Sequence, residues 1–178
     1  MPKIIDDLRE TLLTAARDML LKDGGRTLTI RNIAARCHVA VGTVYNYFSS
    51  KDELMACVML EDWQEALRHM QEESGQAPDV LTGLRCIHDR LRAFDAQYRP
   101  AWMNYAASND AAGQIRKRHS LLIRQLVELI SPLLSRCGCL WTETLPVFLA
   151  ETLLTCAGRG EGCFARICPV LNRLIRPE

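Results

Sequence analysis

Residues Leu28 to Leu54 read LTIRNIAARCHVAVGTVYNYFSSKDEL, and this stretch decides the fold. Thr29 suits a helix N-cap, because a threonine oxygen can accept from a free first-turn N–H. Ile30, Ile33 and Ala34 then recur at helical spacing, which predicts a helix over about 30–37. A tight turn at His38 leads to a second helix over about 40–47. Ser50-Lys51-Asp52-Glu53 fits a capping box, with Ser50 as N-cap and Glu53 at the third helical position. It opens a long helix running to about Glu73. Two short helices about a turn, followed by a capped third, make a helix-turn-helix.

Upstream, Ile5, Leu8, Leu12, Ala15, Ala16 and Met19 mark one face of another helix, which stops at Asp23-Gly24-Gly25. Downstream, Ser74 to Pro78 reads as a linker. Further helices are expected at about 79–97, 100–107, 111–136, 142–157 and 162–175. Gly113, Gly138, Gly158 and Gly160 mark possible breaks, and Pro132 and Pro169 lie inside helical patterns. The fold class is all-α, with a domain of residues 1–50 carrying the helix-turn-helix and a helical domain of residues 51–178.

In such a unit the first helix braces the second, whose N-terminal part enters the major groove of DNA. Val44 and Phe48 are spaced to face the core with Ile33, which turns Val41, Gly42, Thr43, Asn46 and Tyr47 outward. Tyr45 and Tyr47 can reach phosphates, and Asn46 can read a base edge. Val41 and the Thr43 methyl can pack on thymine methyls, and Gly42 lets backbone approach closely. Lys51 stands at a helix N-terminus, where its charge and the free N–H groups both favour a phosphate. The overall charge of +1 hides an asymmetry. Residues 1–51 carry 8 Lys/Arg against 5 Asp/Glu, a net +3, and the remainder carries 14 against 16, a net −2. The basic share lies where phosphates would be met.

On these residues the segment resembles the DNA-binding domain of the TetR family of bacterial repressors. Thr29, Ile33-Ala34, Val39, Gly42-Thr43-Val44-Tyr45, Tyr47-Phe48, Ser50-Lys51 and Leu54 carry the match, over about residues 5–60. The resemblance implies an Ω-shaped homodimer on a palindromic double-stranded operator, with a C-terminal effector pocket and pairing through the last two helices. It implies that Thr29, Arg31, Val41, Gly42, Thr43, Tyr45, Tyr47 and Lys51 touch DNA. Two positions depart from the pattern: Ala40 stands where a small polar cap is usual, and His38 where the turn usually holds glycine. Histidine tolerates a left-handed backbone better than most residues, and a missing cap costs on the order of 1 kcal/mol. Val41 in place of a polar residue leaves the operator sequence open.

Leu145, Phe148, Leu149, Thr152, Leu153, Phe164, Ile167, Leu171 and Leu174 form broad apolar stripes near the C-terminus. They suit either intramolecular burial or a four-helix interface between two chains, and the resemblance favours the dimer. Trp63, His88, Trp102, Met103, Tyr105 and Gln125 combine large apolar surfaces with polar tips, as small-molecule pockets do. They point to an apolar or aromatic effector, although core packing explains the tryptophans equally well. His88 shares a face with Leu84 and Leu91 and reads as a satisfied core histidine.

Neither a signal peptide nor a membrane span is expected, which predicts a cytoplasmic chain whose eight cysteines are reduced thiols. Cys137, Cys139, Cys156, Cys163 and Cys168 concentrate near the C-terminus, and a redox- or metal-responsive regulator sensing through them is the alternative. No C-x-x-C pair exists to support a metal site. Phosphate-loop, nucleophile-elbow and H-E-x-x-H motifs are absent, so neither catalysis nor a cofactor is expected.

Overall fold

The computed structural model describes residues 7–106, 111–136 and 143–175, and these are helices joined by turns. In chain order they are α1 (Leu8–Asp23), α2 (Ile30–Arg36), α3 (Val41–Tyr45), α4 (Lys51–Gln76), α5 (Val80–Ala106), α6 (Ala111–Arg136), α7 (Thr144–Gly158) and α8 (Cys163–Ile175). The all-helical class read from the sequence is the one observed.

Two boundaries differ from expectation. The presumed linker at Ser74 is helical, and α4 continues through Gln76. Its terminal carbonyls need donors, and the Arg136 guanidinium supplies them. It donates to the carbonyls of Ser74 at 2.9 Å and Ala77 at 3.0 Å, and also to that of Gly75. The two helices expected over 79–97 and 100–107 are one, with Pro100 inside α5. A proline there removes one ladder donor without ending the helix. Pro132 and Pro169 lie within α6 and α8, and Gly113 does not interrupt α6. Gly138 lies outside the described residues.

The chain divides into two compact units. The first is Met1–Gln64 with Gln97–Ser108, and the second is Glu65–Ala96 with Asn109–Glu178. The unit around the helix-turn-helix is thus larger than residues 1–50, because it takes in the first half of α4 and the end of α5. Its core joins Leu12, Leu13 and Leu20 to Ile33, Val44, Phe48, Leu54 and Val58, all essentially inaccessible. In the second unit Met70, Leu84, Ile87, Leu126, Ile130, Leu149 and Leu153 are buried. There α5 and α6 meet closely at Gly83, where a Cβ would come within 2.6 Å of Leu133 Cδ2.

Candidate nucleic-acid interface

Local chemistry sets each helix of the interface. α1 ends on Gly24, whose φ of 65° turns the chain and whose N–H donates to the Leu20 carbonyl. Thr29 is the N-cap of α2, its hydroxyl oxygen accepting from Asn32 N at 3.1 Å. His38 carries the turn with φ 56°, so the left-handed conformation expected of it is adopted. Ala40 opens α3 with no side-chain bond, as its methyl requires. At α4, Ser50 Oγ accepts from Glu53 N at 3.1 Å. The Glu53 carboxylate reaches one residue further back than the capping box predicts, accepting from Ser49 N and Ser49 Oγ, each at 2.6 Å. These bonds hold Glu53 below the usual carboxylate range.

The faces of α3 separate cleanly. Val44 and the following Phe48 are buried, and Arg9 lies over the Phe48 ring at 5.8 Å. Tyr45 is 53%, Tyr47 44% and Val41 40% exposed. Gly42 and Asn46 are exposed beside them, and Thr43 is half-buried. A Cβ on Gly42 would meet nothing within 4 Å, so the space above it is open. Thr29 and Arg31 are exposed on α2 and its cap. Lys51 is half-buried and donates weakly to the Gly25 carbonyl at 3.4 Å. The sequence-based set therefore lies along the start of α2, the outward side of α3 and the start of α4.

Behind this surface stands a polar cluster that sequence reading missed. Asp62 of α4 accepts from Arg17 Nε of α1 at 2.7 Å, from Gln97 Nε2 of α5 at 3.0 Å, and from the Tyr98 hydroxyl. Arg17 also donates to Glu61 at 3.1 Å, and Arg9 to Glu61 at 3.2 Å. Burial, and then the Asp62 carboxylate, push the Tyr98 hydroxyl up from its ordinary value. Only the acidic pair Glu61-Asp62, in helical register with Leu54 and Val58, hinted at this in sequence.

Residues 12–58 match the model of bacterial regulatory proteins of the tetR family. Its N-terminal domain is that of a TetR-family regulator. Two curated relatives of this domain are named HTH-type transcriptional regulators. UidR of Escherichia coli (strain K12) is 31% identical over 64 residues, 36% of this chain and 33% of that protein. A regulator of Haemophilus influenzae is 30% identical over 98 residues, 55% of this chain and 45% of that protein. The chain thus spans between a third and a half of the length of these relatives. Among solved structures, Salmonella enterica GusR superposes with TM-score 0.69 at 20% identity, over 94% of each chain. A TetR-family regulator from Rhodococcus sp. does so with TM-score 0.67 at 16% identity, over 94% of this chain and 98% of that one. The fold of these structures therefore covers 94% of this chain.

The residues expected to form one effector pocket are divided. Trp63, Trp102 and Met103 belong to the first unit, His88 and Gln125 to the second. Trp63 is buried, Trp102 and Gln125 half-buried, and Met103 is 69% exposed, so Met103 faces solvent rather than a core. The Tyr105 side chain lies outside the described residues. His88 is not the satisfied core histidine the sequence suggests. It is buried, its Nδ1 pairs with Asp89 Oδ1 at 3.0 Å, and its ring stands 4.8 Å from that of Phe164. Its Nε2 has no hydrogen-bond partner among the described residues.

The presumed pairing residues also sort by exposure. Leu149, Leu153, Phe164 and Leu171 are buried within the chain, so they face its own core and leave no surface for a partner. Leu145, Thr152 and Ile167 are half-buried, whereas Phe148 and Leu174 are exposed. Val147 and Val170, not expected from sequence, are exposed beside them. Among the described residues no group of three or more His, Cys, Asp or Glu side chains could hold a metal, and no helix is long and apolar enough to cross a membrane. Cys137 and Cys139 lie outside the described residues.

Proposed function

We propose that this chain is a ligand-responsive transcriptional regulator that binds a palindromic operator as a homodimer and represses until a small molecule releases it. The observation that carries the DNA reading is the divided face of α3. A five-residue helix and the turn that follows it have no packing reason to display two tyrosines and a valine to water beside an uncovered glycine. Groove contact gives each of them a use. Val41 and Thr43 meet thymine methyls, Asn46 reads a base edge, and Tyr45, Tyr47, Lys51 and Arg31 position the backbone.

Dimer pairing rests on Val147 and Phe148 of α7 with Val170 and Leu174 of α8, apolar side chains that the chain leaves exposed. Effector sensing rests on His88, a buried ring beside Phe164 whose Nε2, without a hydrogen-bond partner among the described residues, offers a polar anchor. An apolar or aromatic compound with one hydrogen-bonding group fits that chemistry. Its effect on DNA affinity follows from linkage: it must bind one arrangement of the reading heads better than another.

Selection of bound sequences from a random duplex pool, at near-physiological salt, tests this reading. Enrichment of one palindrome is expected. Binding that is uniform across sequences and lost steeply with salt would leave only the phosphate contribution and sink the operator reading.

A further inference from the structure

The C-terminal ends of α4 and α6 leave an open groove of about 320 Å³ between them. Gln71 and Ser74 line it from α4, and Glu128, Leu129, Pro132 and Arg136 from α6. The Arg136 guanidinium is already engaged, donating to the carbonyls of Ser74, Gly75 and Ala77. The other polar groups are not. Glu128 is exposed and makes no ion pair or hydrogen bond among the described residues, and the Gln71 amide has no partner there either. Ser74 is buried, yet its hydroxyl makes no hydrogen bond among the described residues. Buried hydroxyls ordinarily have a partner, so one without calls for an explanation. Pro132 adds a further acceptor. It lies inside α6 and has no N–H to give the Glu128 carbonyl one turn earlier, so that oxygen lacks its usual ladder donor.

We propose that this groove binds a small organic cation, its ammonium on the Glu128 carboxylate and its apolar body along Leu129 and Pro132. An ammonium carries three donors and no acceptor, which suits a groove supplied with a carboxylate, a freed carbonyl, an amide oxygen and a hydroxyl. An anionic ligand would meet Glu128 as a like charge, and Arg136 has its terminal N–H groups turned to backbone carbonyls. Arg136 also stands two helical turns from Glu128, roughly 12 Å along α6, with Leu129 and Pro132 between them. The positive head therefore lies at the Glu128 end. The volume is at the low end for small-molecule sites, so the body is one ring or a short chain. None of these residues belongs to the set assigned to the effector, and the groove is a second ligand site.

This inference stands independently of the operator reading and of the His88 anchor. The full chain is titrated near neutral pH with phenethylamine and with its neutral counterpart, phenethyl alcohol, followed by ligand-observed NMR and calorimetry. The amine is expected to bind, and the alcohol to bind about fivefold more weakly, as one partly exposed ion pair allows. Glu128→Gln keeps the shape, removes the charge, and should bring the amine down to the affinity of the alcohol. Pro132→Ala restores an N–H to the Glu128 carbonyl and should weaken the amine without destabilising the fold. His88→Phe should leave amine binding unchanged. An amine that does not bind the parent protein, equal affinity for the two probes, or amine binding unaffected by Glu128→Gln overturns the proposal. Amine binding lost in His88→Phe overturns it as well, by assigning the cation to the effector anchor.

Discussion

Gly24 at the end of α1 rests directly on Pro100 of α5: a Cβ added to Gly24 would stand 2.6 Å from Pro100 Cβ and 3.1 Å from its carbonyl carbon. The contact explains both residues. Gly24 must be glycine for its left-handed φ of 65° and for this approach. Pro100, which costs α5 a hydrogen bond, is a rigid surface on which the end of α1 is seated. Together with the bonds that Gln97 and Tyr98 make to Asp62, it binds the end of α5 to the helices that carry the reading surface.

Gly24→Ala and Gly42→Ala should therefore fail in different ways. At Gly24 the left-handed backbone alone costs roughly 1–2 kcal/mol, and crowding against Pro100 adds about 1–3 kcal/mol. We expect a marked loss of stability in urea unfolding. At Gly42 nothing lies within 4 Å, so stability should stay within about 0.5 kcal/mol of the parent. Operator affinity is expected to fall instead, because the new methyl stands where DNA backbone or bases approach. A Gly42→Ala protein that binds its operator normally would remove Gly42 from the interface.

Tyr98 makes the first unit sensitive to alkali. Its folded hydroxyl is raised above the unfolded value of about 10, through burial first and the Asp62 carboxylate second. The stability this contributes is complete below the unfolded value and is lost as pH rises toward the folded one. Urea midpoints measured from pH 8 to pH 11 should fall at the alkaline end, and Tyr98→Phe should lose that share of the slope. An unchanged slope in Tyr98→Phe would assign it to other groups.

Much of this was legible in sequence because the deciding signals are local. Thr29, Ser50 and Gly24 announce helix ends through chemistry confined to three or four residues, and each sits where it was expected. The errors are of another kind. Ser74-Gly75 has the composition of a linker, yet Arg136, 61 residues from Gly75, supplies the donors that keep it helical. Pro100 has the signature of a break, but its seat on Gly24 lies far off in sequence. The Asp62 cluster draws on three helices and leaves no periodicity at all. The α7 and α8 stripes were visible, but which members face inward depends on packing against neighbouring helices, which spacing within one helix does not encode.

The reading surface can be divided by salt. Tyr45, Tyr47 and Asn46 are exposed, so alanine at any of them should leave stability nearly unchanged while weakening operator binding. Lys51→Ala and Arg31→Ala should weaken binding to all sequences alike and reduce the slope of log affinity against log salt by about 1 each. Asn46→Ala should instead relax base preference at one operator position with the slope intact. A salt slope unaffected by Lys51→Ala would place that amine away from phosphate and leave it with its Gly25 carbonyl.

Exposure separates two roles within α7. Leu149 is fully buried, so Leu149→Ala should cost about 2–5 kcal/mol of folding stability. Phe148, its neighbour, is half exposed, and Phe148→Asp should leave the fold intact while dissociating the proposed dimer. Sedimentation velocity with near-native circular dichroism checks both. A Phe148→Asp protein that sediments as a dimer would move pairing away from this face.

His88 offers the sharpest division between a structural and a sensing role. A buried ring nitrogen without a partner costs about 1–3 kcal/mol, and Nε2 is such an atom among the described residues. His88→Phe keeps a ring against Phe164 at the 4.8 Å centroid spacing and removes the orphan nitrogen. Stability should hold or rise by about 1 kcal/mol. Compounds from an apolar and aromatic panel that raise the parent's melting temperature should lose that effect in the variant, because the nitrogen proposed to anchor them is gone. A destabilised variant would show that Nε2 is satisfied in solution. Retained thermal shifts would place the effector elsewhere, and Trp63 and Trp102 would be the next residues to replace.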